Sequence, residues 1–454
     1  MPLLNEKPKS LLFKFITASL IGALMISLYS FIDIIFISII EGSIAGIILS
    51  RTIPLWMIIN GFGYLFGIGG SILTAVAAGR GDDNEANQYF MVTMIAAVIL
   101  SVTLWFSFNF FQDSILSFLS GGDLAILQLI RLYTFYMRLG FPVYILFITT
   151  ACFVRYDNSP YWVVLATVVA SVFNIFGDYF FTFVLELGIV GIGLSTTLSQ
   201  IIGLIILMLH FFSSRCTIHL VDMTHFGHKL WNIIKTGAPT FISYCSFGTL
   251  VALLIIVSKA KGTLPEAYYY AIPISSFIWN ILTVMRSYAF AIGRATTPLL
   301  AKNYGAGLRT RVSALNRRTI AICFVICGIV AATLCFFPKE VTNLFIQSTH
   351  PEMDAMIPVI FRQLSLAFIF TFYNIYVIYY YQCILRPGKA LLLSLLQGII
   401  LPGLCVTLIP TLFGMYALSY SIPISEFLAT LIITTSLLLD YRRTALVPDY
   451  MSKA

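Results

Sequence analysis

Polar residues occur along this chain as short islands, and the apolar stretches between them are about as long as a bilayer is thick. Runs close to the ~20 residues a membrane helix needs cover 11–39, 52–78, 88–112, 126–150, 160–185, 190–213, 233–258, 268–292, 316–338, 355–384, 390–412 and 415–439. The pattern predicts an all-α membrane protein of twelve transmembrane helices. An even number of spans places both termini on one side.

Composition agrees. Of 454 residues 59% are hydrophobic and 10% charged, with a mean hydropathy of +0.93, whereas a soluble domain carries about 25% charge. Met1–Ser10 is short and polar and leads into an apolar run without a small-residue cleavage site, so no cleavable signal is expected. The eight cysteines form no CxxC pair and read as small hydrophobes. His219, His225 and His228 have the spacing of a solvated loop rather than a metal site, and no metal or other cofactor is expected.

The net charge of +8 would suit nucleic acid, but its location points to the bilayer. With the termini assigned to the cytoplasm, most of the 27 Lys and Arg, Arg155 and Arg294 among them, fall on the terminal side. Arg51, Lys259, Lys261 and Lys339 fall opposite, and Arg131, Arg138, Arg286 and Arg362 lie within the spans. The positive-inside rule then predicts a multi-pass protein of the cell inner (plasma) membrane with both termini cytoplasmic. Nucleic acid and an obligate protein partner are not expected.

The chain repeats itself. "AAGRGDDNEANQYF" (77–90) follows the second run and "AKNYGAGLRTRVSALN" (301–316) the eighth, offset by roughly 223 residues, and Gly191 and Gly414 share that offset. Two six-helix bundles are expected, related by a pseudo-two-fold axis along the membrane normal, with substrate bound between the halves. The predicted division is 1–213 for the N-lobe, 214–231 for a cytoplasmic linker and 232–454 for the C-lobe. The absence of GxxxxGK[ST] argues against ATP as the driving force, and the repeat without a filter-like segment argues against a channel.

Three acids interrupt the spans: Asp33, Asp178 and Glu426. An ionisable group at mid-bilayer costs at least ~2.5–3.5 kcal/mol, so each calls for a reason. Asp33 and Asp178 each lie eight residues from an outer loop, as does Thr196 on a descending helix, ~12 Å deep at 1.5 Å per residue. Asn174 lies one turn from Asp178 on the same face. Two carboxylates at one depth in low dielectric cannot both stay charged, so the pair can take up H⁺, or hold a dehydrated Na⁺. For Asn174 or Thr196 alone, an interhelical hydrogen bond is the plainer reading. Arg131 counts to the same depth, and either pairs with Asp33 or Asp178 or snorkels to the outer surface.

"SLYSFIDIIFIS" (27–38), "GIGGSILTAVAAGRGD" (67–82), "NIFGD" followed by "GIVGIGLSTTLSQ", and "RPGKALLLSLLQ" (386–397) together resemble the multidrug and toxic compound extrusion (MATE) family, in its bacterial multidrug branch. The resemblance spans essentially the whole chain. It implies a cation-coupling site in the N-lobe at Asp33, Asn174, Asp178 and Thr196. Runs 233–258 and 355–384 lack the acids that sodium-coupled members carry there, and residues 9–53 lack the proline at which some members bend the first helix. These departures argue against a C-lobe sodium site and against bending on protonation.

Multidrug members expel lipophilic cations, which aromatic faces hold at ~0.5–2 kcal/mol each. Asn60, Arg131, Tyr373, Tyr376 and Glu426 are the substrate-binding candidates, with an interfacial aromatic belt and a packing carboxylate as the bland readings of the tyrosines and Glu426. The expected function is secondary active efflux of a cationic or amphipathic organic compound in antiport with H⁺ or Na⁺, and not enzymatic. The alternatives are a flippase for a lipid-linked glycan, a dedicated metabolite exporter and, last, a membrane-embedded lipid transferase.

Overall fold

The computed structural model describes residues 2–42, 45–214, 216–260, 265–338, 340 and 351–445. Among them there is no strand. The helices are α1 (Pro8–Glu41), α2 (Ala45–Arg80), α3 (Asp83–Phe110), α4 (Gln112–Ser120), α5 (Leu124–Leu139), α6 (Phe141–Tyr156), α7 (Pro160–Tyr179) and α8 (Ile189–Leu209). After a polar segment come α9 (Phe226–Ala260), α10 (Pro265–Gly305), α11 (Arg309–Phe336), α12 (Pro351–Cys383), α13 (Pro387–Leu395), α14 (Leu401–Phe413) and α15 (Ser421–Ala445).

Among the described residues nine helices are long and apolar enough to cross a membrane, and the pair α5 and α6 makes a tenth. With α9 and α10, of 35 and 41 residues, they account for the twelve expected spans. The fourth run, 126–150, is not one straight helix. It breaks after Leu139 with a 54° bend, because Pro142 has no N–H to continue the ladder and is at home in the first turn of α6. Where a run was expected to end in α7, the last turn widens: Leu185 N–H bonds to the Phe180 carbonyl five residues back, 3.0 Å. A second wide turn, Leu396–Ile400, joins α13 to α14. Such turns recur at functional sites.

The chain forms two compact units. One comprises Met1–Gly248, Phe290–Thr319 and Tyr379–Leu391, the other Thr249–Ala289, Ile320–Ile378 and Leu392–Ala454. In the first, α1 packs on α7, α7 on α8, α2 on both α3 and α6, and α5 on α8. Glycines permit closer approaches. A Cβ at Gly237 on α9 would overlap the Leu65 carbonyl of α2, and one at Gly79 on α2 would overlap the Lys302 carbonyl of α10.

The polar segment after α8 is tied down. Asn87 Oδ1 accepts from the His219 N–H at 2.9 Å and Gln88 Nε2 donates to the Asp222 carbonyl at 3.1 Å. Buried Asp157 accepts from His210 Nε2 at 2.8 Å and from the Thr217 N–H at 3.1 Å. Asp157, His210 and Cys216 bring ligand-type atoms within 4.8 Å of one another, but the Asp157 oxygens are already occupied by these donors. Burial pushes the Cys216 thiol up from its ordinary value.

Candidate functional site

The predicted N-lobe constellation assembles in the first unit. α7 carries Asn174 and Asp178 on the face that meets α8, one turn apart, and both are buried. Ser195 Oγ of α8 donates to Asp178 Oδ1. Asn174 Nδ2 donates to Thr196 Oγ1 at 3.2 Å, while that hydroxyl gives its own proton to the Ile192 carbonyl at 2.8 Å. Asp33 projects from α1, which packs along α7, and its carboxyl is within electrostatic reach of Asp178.

The count of donors is the informative part. Asp33 Oδ1, Asp178 Oδ2 and Asn174 Oδ1 are buried with no hydrogen-bond partner among the described residues. Buried polar atoms are nearly always paired, and an unpaired one costs ~1–3 kcal/mol. Oxygen acceptors collected without donors suit a cation, either a proton bound to one carboxylate or a small metal ion held by several oxygens. Tyr29, Tyr133 and Tyr144 lie within electrostatic reach of Asp33. Sequence reasoning missed these tyrosines and Ser195. Tyr29 was findable, since it precedes Asp33 by one helical turn and so shares its face.

Arg131 is not part of this constellation. Its guanidinium pairs with Asp113 of α4, and the two side chains are 51% and 76% exposed. Counting from Asp123 assumed a straight span, but α4 lies beside α5, and α5 is only the first leg of a bent pair. Arg131 follows the snorkelling alternative, and Arg138 bonds Gln112 Oε1. Asn60 spends its Nδ2 on the Trp56 carbonyl of its own helix, 2.8 Å. Arg294, counted with the loop charges, is instead buried within α10, well before that helix ends at Gly305.

In the second unit Glu426 of α15 is buried and well supplied with donors. Asn374 Nδ2 donates to its Oε2 at 2.7 Å, Gln397 Nε2 to its Oε1 at 2.9 Å, and Arg286 Nη1 lies 3.7 Å from Oε1. Asn374 Oδ1 in turn accepts from Thr430 at 2.9 Å. Polar side chains from three other helical segments thus surround the Glu426 carboxyl group. Gln397, in the second wide turn, stands 223 residues after Asn174, so the repeat offset could have found it, although sequence reasoning did not. Tyr373 is buried, its hydroxyl 3.1 Å from Thr434 Oγ1 and its ring stacked with Phe324. Tyr376 is fully buried. Neither is an exposed interfacial aromatic.

Long apolar helices around a buried pair of acids define an integral membrane transporter rather than an enzyme. The chain belongs to the MatE family, whose model matches residues 18–180 and 271–392. Among relatives, the multidrug export protein MepA of Staphylococcus aureus is 24% identical over 417 residues, 91% of this chain and 89% of that one. MepA of Staphylococcus haemolyticus is 22% identical over 414 residues, 90% and 88%. Among solved structures, a MATE in complex with MaL6 superposes with a TM-score of 0.89 at 21% identity, covering 98% of both chains. A MOP superfamily transporter from Pyrococcus furiosus gives 0.87 at 21%, again over 98% of both. At that identity these structures speak for the fold.

Proposed function

We propose that this protein is a secondary active efflux transporter of the plasma membrane that exports lipophilic or cationic organic compounds in exchange for H⁺ or Na⁺. The observation that carries the proposal is the surplus of buried acceptor oxygens at Asp33, Asp178 and Asn174, and the multidrug export activity named for its relatives supports the substrate class. Asp33 and Asp178 take the coupling ion, and Asn174 and Thr196 support them. Binding the ion neutralises charge between α1 and α7 and draws the unpartnered oxygens together. That gives the two states of an alternating-access cycle different ion affinities, as coupling requires. The lobes of that cycle are 1–213 and 232–454, joined by the cytoplasmic linker 214–231, with both termini cytoplasmic.

The test is reconstitution into liposomes with ethidium as cargo, under an imposed pH gradient or an imposed Na⁺ gradient. Gradient-driven movement that falls to the rate of protein-free vesicles in Asp33→Asn is the expected result. The gradient that drives it identifies the ion. Undiminished movement in the variant would place coupling elsewhere and sink the assignment.

A further inference from the structure

A second buried constellation in the first unit has the opposite character. A small cavity of about 40 Å³ is walled by Ser19 of α1, Tyr64 of α2, Phe147 and Arg155 of α6, Thr167 of α7 and Arg294 of α10. Ser19 is ~21 Å along α1 from Asp33 at 1.5 Å per residue, so this is not the acid site. Two guanidinium groups share the cavity, and no acid among the described residues forms an ion pair with either. The groups within electrostatic reach are tyrosines, Cys152 and the two arginines themselves.

The hydrogen bonds leave donors in excess. Arg294 Nη1 donates to the Tyr244 hydroxyl at 2.6 Å, and its guanidinium lies 4.9 Å from the centroid of the Tyr64 ring, which stacks on Tyr244. That aromatic stack fixes the head group, while Arg294 Nε has no acceptor. Arg155 makes one long contact, 3.5 Å, to the Ala151 carbonyl of its own helix. The Ser19 hydroxyl is buried and also without a partner. Thr167 has given its proton to the Val163 carbonyl. Burying two like charges without a counter-ion is costly, and the cavity offers a fork of N–H donors and a hydroxyl beside apolar walls.

We propose that this cavity binds the carboxylate group of an organic acid or zwitterion, held by Arg155 and Arg294 with Ser19 as a third donor. A guanidinium matches a carboxylate with two parallel hydrogen bonds, and a group of that size is what the cavity has room for. The inference rests on the efflux reading only for the ligand's role as cargo. On that reading the transporter accepts compounds carrying both charges, which a carboxylate pair alone would not select.

The test compares rhodamine B, which has a free carboxylate, with rhodamine B ethyl ester, which differs only in its esterified acid. Fluorescence anisotropy with the purified full chain in nanodiscs gives both dissociation constants without any gradient. Rhodamine B is expected to bind ~10-fold more tightly than the ester, the scale of one lost charge-assisted contact. Arg155→Gln and Arg294→Gln should each collapse that ratio towards one, and Arg294→Lys should keep part of it. Arg155→Gln guards against loss of folding, because that side chain bonds only its own helix. Equal affinities in the unaltered chain, no binding of rhodamine B, or a ratio that survives both Gln substitutions would each overturn the proposal. Because no gradient is involved, that failure leaves the efflux proposal standing, and a failed liposome assay leaves this one standing.

Discussion

Asp33 and Glu426 show how little a residue type says until its donors are known. Both are acids buried within spans. Asn374 and Gln397 donate to the two oxygens of Glu426, and Arg286 lies beside them. Asp33 Oδ1 has no such partner. Their neutral variants should therefore separate. Glu426→Ala strands three polar neighbours in low dielectric and should cost about 3 kcal/mol or more of stability. Asp33→Asn removes a carboxyl group whose Oδ1 no protein donor satisfies, and should leave the unfolding midpoint unchanged or raised. Thermal unfolding of both variants in one detergent checks the contrast, and equal losses would contradict it.

At the scale of elements, the helices meet where side chains are missing. Gly237 lets α9 approach the Leu65 carbonyl of α2 closely, and Gly79 does the same for α2 against α10. Packing between membrane helices relies on such small residues because lipid offers little hydrophobic drive for association. Gly237→Val must push α9 away and should destabilise by ~1–3 kcal/mol, the usual cost of overpacking. The readout is a lower unfolding midpoint. Gly328, which has open space around its Cα, is the control: Gly328→Ala should not lower the midpoint. The wide turns matter at the same scale, since one follows Asp178 directly and the other holds Gln397 beside Glu426.

At the scale of the molecule, the distribution of charge predicts the orientation in the bilayer. Basic residues crowd the loops on the side of the termini, and the topology predicts opposite exposure for the turn before α3 and the turn before α5. An impermeant maleimide on intact cells should label Leu124→Cys and spare Asn84→Cys, both exposed positions, with peptide masses reporting the site. The reverse pattern would invert the protein in the membrane.

Much of this was legible along the chain because the bilayer enforces it. Hydrocarbon thickness sets the length of each apolar run, backbone hydrogen bonding in lipid requires helices, and the cost of a buried charge makes Asp33, Asp178 and Glu426 conspicuous. The chain alone could not say which way a side chain turns. Arg131 shared the counted depth of the aspartates yet pairs outward with Asp113, and Arg294 looked like a loop charge yet lies buried against Tyr244. Depth is a property of one helix, while the face a residue presents, and the partner it finds there, depends on bends such as the one at Pro142 and on which helices pack together. For that reason the sequence determined the fold class and the acids that need explaining. Only the tertiary structure decided which of their oxygens find a donor and which do not.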